Sequence, residues 1–540
     1  MSSTVIAVDA RQWVRVALFL VLSAALGACG NDRSTPADAA PPSPVAAAVS
    51  KDLGIDWFEG GVEAAFGAAK REHKPVFLYW GAQWCPYCKQ VEATVFTRRD
   101  VIERTRQFIA VELDGDAPAA QRAGERFGVM GYPTMIVFRP DGTEITRIPN
   151  GLNLEAYAEI FDLAMNALRP VADVLGAALA GEHLSDAEWQ QLAVYSWGQD
   201  NQRALGGRDE RETFAALANV CPATAGAACT RLRLNHLDAA IDAAAEAPLD
   251  SATKAAALGT LTRLLADDAQ VAANLDAVLH AGPEFVAAVT EAGSPERAAL
   301  AGRWQAVMLS LADDPRLSTV EQFYASYAPI GFLKLADENA AVPAALQTAI
   351  RARVDEAMAA TIDPVERHAV VTTAASLLRA ADLGVEALTL LEAELANSAQ
   401  PFYLMSSLAS AAERDGDTDT ALAWRQRAYE TATGESTRFR WGYGYVSSLI
   451  RLAPDAHVPI EAVTARLFEE LSDPATAFFG GTQSRAVQLS DKLLAWADTA
   501  DRAAVIERLR TRIAAVCSSI PAGETSRARC DGFLRPPPAG

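Results

Sequence analysis

Cys85 and Cys88 are the residues of this chain whose types and spacing most directly permit chemistry. A thiolate attacks a disulfide sulfur, and a second thiol three positions on can close a small ring with the first or resolve a mixed disulfide formed on it. The pair lies in the stretch from Phe77 to Lys89, where the apolar run Val76 to Trp80 predicts a buried strand. After Cys88, the residues Gln90, Val91, Glu92, Val95 and Phe96 predict a helix with one apolar side. The cysteines then occupy a strand-to-helix turn. Cys85 falls at the helix N-terminus, where unpaired N–H groups and the helix dipole favour the thiolate, so it is the expected nucleophile and Cys88 the resolving thiol.

The elements that must position this turn alternate between helix and strand from about Leu53 to Arg169. Helices are expected over 63–71, 89–96, about 119–127 and 154–168, and strands over 76–80, 108–113, 135–138 and 144–148. Asp141-Gly142 is a hairpin turn signal between the last two strands. One α/β domain over 51–170 accounts for this order.

Two separated motifs carry a resemblance. Trp84-Cys85-Pro86-Tyr87-Cys88 and Phe127-Gly128-Val129-Met130-Gly131-Tyr132-Pro133-Thr134 together resemble the active-site turn and the cis-proline loop of the thioredoxin superfamily. The segment Val91 to Val101 is further similar to the C-terminal domain of DsbD-type reductases, and Pro86-Tyr87 is the dipeptide that glutaredoxins use. The resemblance covers about 120 of the 540 residues. It implies a thioredoxin fold, thiol-disulfide oxidoreductase activity that reduces or exchanges disulfides, with the DsbD-type similarity favouring reduction over isomerisation or oxidation, and no cofactor, since the electrons reside on the two sulfurs. Implied partners are protein disulfide substrates and an electron donor or acceptor protein. By the same match Pro133 is cis and faces the disulfide, the Tyr132 backbone positions an extended substrate, and Trp84 packs beside the sulfurs. Tyr87 either meets substrate or fills an exposed turn, and Lys89 is expected on a solvated helix face. One departure stands out: where thioredoxin has a buried Asp, six residues before the first cysteine, this chain has Tyr79. Proton transfer from Cys88 then falls to water or to another residue, with Glu112 and Asp114 as candidates.

The chain has seven cysteines. Four outside the motif, Cys221, Cys229, Cys517 and Cys530, allow three pairings, and the short spacings favour Cys221–Cys229 and Cys517–Cys530 as structural disulfides. With a single CxxC and six scattered histidines, none within ten residues of it, no metal site is expected. Arg11 and Arg15 followed by an apolar run from Val16 to Ala28 predict a signal peptide over 1–28, too short to span a bilayer. Leu26-Gly27-Ala28-Cys29 resembles the lipobox of bacterial lipoproteins, which implies lipidation at Cys29, export, and a membrane anchor on the periplasmic side of either the inner or the outer membrane. Residues 29–50, rich in Pro and Ala, read as a tether. A formal charge of −20 argues against nucleic-acid partners and against an electrostatic hold on anionic lipid.

Residues 171–540 are rich in Ala and Leu and carry helix starts such as Ser185-Asp186-Ala187-Glu188 and Ser318-Thr319-Val320-Glu321. An all-α region, an irregular α-solenoid of helical repeats, is expected. Ala387-Leu388 and Ala421-Leu422 lie 34 residues apart, and Gly416, Ala421 and Ala428 sit at small-residue positions, so residues 370–435 resemble tetratricopeptide units. Such arrays bind proteins or peptides on a concave face. The aromatic cluster Phe439, Trp441, Tyr443 and Tyr445 would either lie on that face or pack between helices. Two functions remain open: an exported oxidoreductase whose helical region recruits a client or partner, and a binding or assembly lipoprotein whose thioredoxin-like domain is a redox-gated or vestigial module.

Overall fold

The computed structural model describes residues 54–535 except Trp84, Met130, 150–153, 166–168, Asn201, 245–247 and Ser472. The expected signal peptide, Cys29, the tether and Trp84 therefore lie outside the described residues.

The apolar run forms β1 (Val76–Gly81), buried at every position. It is central to a four-stranded sheet of order β2-β1-β3-β4, with β2 (Ile109–Asp114) parallel to it, β3 (Thr134–Phe138) antiparallel, and β4 (Glu144–Ile148) antiparallel at the edge. On the far side of β2 an isolated parallel bridge from Trp57 to Ala110 extends the sheet by one contact. Strands buried on both faces need helices on both faces. They are α1 (Val62–Glu72), α2 (Pro86–Thr94), α3 (Arg99–Thr105), α4 (Pro118–Arg126) and α5 (Leu154–Met165). The helix expected over 89–96 is α2, which ends at Thr94; α3, not anticipated from the sequence, starts at Arg99 after a new extended N-cap at Arg98. Arg98 binds Asp100 in the first turn of α3 through two hydrogen bonds of 3.0 and 2.8 Å, which helps fix the restart.

Beyond Arg169 the described elements are all helical. Both expected capping boxes form, Ser185 with Glu188 and Ser318 with Glu321. Gly416, at φ 77°, turns the chain between helices Pro401–Arg414 and Thr418–Thr431, which pack closely with Ala421 and Ala428 buried between neighbours.

The helices are not a separate body hanging from the Arg169-Pro170 joint. One buried cluster runs from the sheet (Phe77, Tyr79, Ile145, Ile148) through Phe161 of α5 into Val171, Leu175, Trp189 and Leu192. Gln191, buried, donates to the Ile145 and Arg169 carbonyls at 2.9 and 3.0 Å, which ties the two regions by polar bonds as well. The last helices return to the opposite end of the sheet: Phe402, Met405, Phe439 and Trp441 share a buried cluster with Ala82, Cys85 and Cys88. Phe439, Trp441 and Tyr445 are thus interior packing residues.

Candidate functional site

At the end of β1 the chain turns into α2, and Cys85 is the N-cap residue, in an extended conformation with Pro86 as the first helical residue. Proline suits that position because its missing N–H would have no partner there. The Cys85 sulfur accepts from the Cys88 N–H at 3.2 Å, so a backbone donor is aimed at the atom that carries charge in the thiolate. Cys85 and Cys88 form a disulfide across a Cα–Cα distance of 5.2 Å.

Around this turn the peptide Tyr132–Pro133 is cis, and Tyr132 packs against the cluster that holds both cysteines. The Tyr132 hydroxyl donates to the Gly115 carbonyl at 3.0 Å and accepts from Gln121 Nε2 at 2.7 Å. Burial, reinforced by Asp116, pushes its pKa well above the ordinary tyrosine value. The Pro133 carbonyl accepts from Gln199 Nε2 at 3.4 Å, a contact from the helical region. Trp84, the remaining expected positioning residue, is outside the described residues.

Tyr79 occupies the β1 position where the resemblance leads one to expect a buried carboxylate. Its ring lies beneath the turn, close enough that a Cβ on Gly81 would stand 2.7 Å from the hydroxyl. That hydroxyl donates to Glu92 Oε1 at 2.9 Å, and Lys89 Nζ binds Glu92 Oε2 at 2.6 Å. Lys89 is thereby held in an ion pair with only 14% of its side chain exposed, not on a solvated face. Burial first, and the Glu92 charge second, raise the Tyr79 pKa so that it stays a neutral donor. Glu92 was missed in the sequence; the signal was its spacing, four residues after Cys88 and so on the same side of α2. Glu112 faces Tyr79 across the β1–β2 ladder. Burial, followed by the charge of Glu92, lifts its carboxyl above the usual range. Asp114 ends β2 and accepts from the Asp116 N–H at 3.1 Å.

The other cysteines form Cys221–Cys229 and Cys517–Cys530, with Cα–Cα distances of 5.7 and 5.5 Å. All four are buried. Tyr87, between the redox cysteines, is 49% exposed and shares a 3.0 Å hydrogen bond with the Tyr324 hydroxyl. Among the described residues no group of three or more His, Cys, Asp or Glu converges as a metal site.

A parallel pair of strands, two antiparallel additions, a CxxC pair at a helix N-cap and a cis-proline loop define a thioredoxin-like unit, and residues 62–164 match the family model of the thioredoxin-like domain. The same region is similar to thiol:disulfide interchange proteins. DsbD 1 of Pseudomonas aeruginosa is 33% identical over 85 residues, covering 15% of this chain and 14% of that protein. DsbD of Actinobacillus pleuropneumoniae is 27% identical over 139 residues, 25% of this chain and 23% of the relative. DsbD of Neisseria meningitidis serogroup B is 26% identical over 105 residues, 19% and 18% respectively. The chain thus spans less than a quarter of the length of these relatives.

Proposed function

We propose that this chain is an exported, lipid-anchored thiol-disulfide oxidoreductase acting on protein disulfides. The observation that carries the reading is Cys85 at the N-cap of α2 with Cys88 one turn on, inside a thioredoxin-like domain. In the dithiol form the Cys85 thiolate attacks one sulfur of a client disulfide, and the other client sulfur leaves as a thiolate and takes up a proton. Cys88 then loses its proton and attacks Cys85 Sγ. The second client thiol departs, and Cys85–Cys88 is left oxidised with two electrons passed to the client. We assign the Cys88 proton to Glu92 on its spacing, four residues after Cys88 along α2, where Tyr79 and Lys89 hold its carboxylate. The Tyr132–Pro133 peptide offers backbone to an extended client strand.

The similarity to thiol:disulfide interchange proteins supports exchange in the reducing direction, with an electron-donor protein restoring the dithiol. Export and anchoring rest on the Arg-flanked apolar run and on Leu26-Gly27-Ala28-Cys29. In this reading the helical region, with tetratricopeptide-like hairpins near 370–435, binds the client or a partner.

Cys88→Ser tests the reading, because Cys85 then keeps any mixed disulfide it forms. Mass spectrometry is expected to find client peptides joined to Cys85 and absent in Cys85→Ser. The binding-lipoprotein alternative is favoured by the burial of both redox cysteines. It gains first place if Cys85→Ser leaves the cellular phenotype intact. Deleting the chain from 171 onward cannot decide between them, because Val171, Leu175 and Trp189 complete the core under the sheet.

A further inference from the structure

Cys85 is 2% exposed and Cys88 0%. A thiolate must approach a disulfide sulfur along the S–S axis, so the Cys85 sulfur has to face open space for exchange to occur. Both cysteines are instead buried in a cluster shared with this chain's own helical region. The cluster that contains Ala82, Cys85 and Cys88 is completed by Phe402 and Met405 of helix Pro401–Arg414 and by Phe439 and Trp441 of helix Glu435–Leu452. Helix Pro364–Ala380 packs along α2 itself.

The rim of this contact is polar. On the α2 side, Tyr87 bonds Tyr324, and Gln90 Nε2 donates to Ser318 Oγ at 3.3 Å. On the cis-proline side, Thr437 donates to Asp116, whose carboxylate also abuts Gly434. Gln121 Oε1 accepts from the Gly481 N–H at 2.8 Å, and Glu125 Oε2 accepts from the Gly480 N–H at 3.2 Å. Glu125 further takes a forked pair from Arg529 at 2.8 and 2.6 Å. The Arg122 and Arg529 guanidinium groups both lie on the Phe479 ring, 5.0 and 5.1 Å from its centroid. The Cys517–Cys530 disulfide ties helix Thr525–Asp531, which carries Arg529, to helix Ala500–Ser518.

We propose that residues 401–534 are an intramolecular cap on the redox pair, latched by the Glu125–Arg529 and Asp116–Thr437 contacts, so that Cys85–Cys88 exchanges only when the cap lifts. This inference rests on the oxidoreductase reading. The polar rim suits a reversible latch: each bond broken on opening is replaced by water, whereas a wholly apolar seam would hold the cap shut. A client would then compete with the cap for the same face of the thioredoxin-like unit, and the helical region would control access as well as recruit.

The test follows reduction of Cys85–Cys88 in the intact chain by alkylation and peptide mapping, with dithiothreitol as the small probe and a reduced thioredoxin as the protein probe. Glu125→Gln and Arg529→Gln are expected to accelerate reduction by both probes, about three- to tenfold for a partly exposed forked ion pair. The swap Glu125→Arg with Arg529→Glu restores the charge pairing and is expected to return the rate towards that of the parent, which separates loss of the latch from general damage. The cap is refuted if the parent chain is reduced as fast as the single variants. It is refuted equally if, where the single variants fail to fold, the swapped chain is reduced no more slowly than a disulfide in an unfolded peptide. A pair that stays oxidised in every variant under both probes overturns the oxidoreductase reading itself, whereas fast reduction in all of them removes only the cap.

Discussion

His368 sits in helix Pro364–Ala380, the helix packed along the redox helix, and protonating it stresses the buried packing around its ring. It is 9% exposed, its ring meets Tyr403 edge-on with centroids 5.6 Å apart, and neither ring nitrogen has a hydrogen-bond partner. Burial alone lowers its pKa from 6.5 to about 4. The sign follows from linkage. The folded state binds this proton more weakly than the unfolded chain, so the neutral ring's contribution is complete above pH 6.5 and is lost as the pH falls from there towards 4. At about 1.36 kcal/mol per pH unit the full loss is about 3 kcal/mol, of which about 2 kcal/mol has gone by pH 5. His368→Leu keeps the apolar contact and removes the titration. Urea unfolding of both chains at pH 7.5 and pH 5 is expected to show the difference between them shifting by about 2 kcal/mol in favour of the variant at the lower pH. Effects of all other groups cancel in that difference. If the two chains lose stability equally between the two pH values, His368 is not held neutral by burial and the reasoning fails.

Three further outcomes follow from the same kind of argument. Gly115→Ala places a Cβ 2.3 Å from Tyr132 Cζ, so the ring must leave its bonds to Gly115 and Gln121, and urea unfolding is expected to show a loss of about 1–3 kcal/mol. Burial pushes the Asp276 carboxyl up, but the forked Arg231 pair outweighs it and holds the pKa below the usual range. Asp276→Asn strands Arg231 and is expected to cost about 3 kcal/mol; in the parent chain the pair's contribution is complete above the ordinary Asp pKa and fades as the pH falls through the lowered folded value. Glu92→Gln removes the proposed acceptor for the Cys88 proton, and stopped-flow resolution of a mixed disulfide on Cys85 is expected to slow at least about tenfold, with a changed pH profile.

Much of the thioredoxin-like unit is legible in the sequence because its signals are local. Val76–Gly81 is apolar throughout, Asp141-Gly142 marks a turn, and the CxxC and Gly131-Tyr132-Pro133 motifs each occupy a few consecutive residues. The short helix α3 is harder to read, since its seven residues bury only Val101, Ile102 and Thr105, too few for a helical period to show. The Tyr79–Glu92 bond joins a strand to a helix 13 residues away and leaves no pattern in either. The cap is illegible for a stronger form of the same reason. Glu125 and Arg529 are 404 residues apart, and each alone reads as an ordinary charged residue on a helix. Likewise the absence of a break in the core at Arg169-Pro170 depends on Val171, Leu175 and Trp189 packing under the sheet, which helical periodicity predicts as burial but cannot aim.

The most direct test of the central claim is a redox titration of the intact chain in dithiothreitol buffers, with alkylation and peptide mapping to read the three disulfides separately. The account predicts that Cys85–Cys88 is reduced and reoxidised reversibly, with a measurable potential, while Cys221–Cys229 and Cys517–Cys530 stay oxidised over the same range. A Cys85–Cys88 pair that opens only together with the other two, as the chain unfolds, would contradict it.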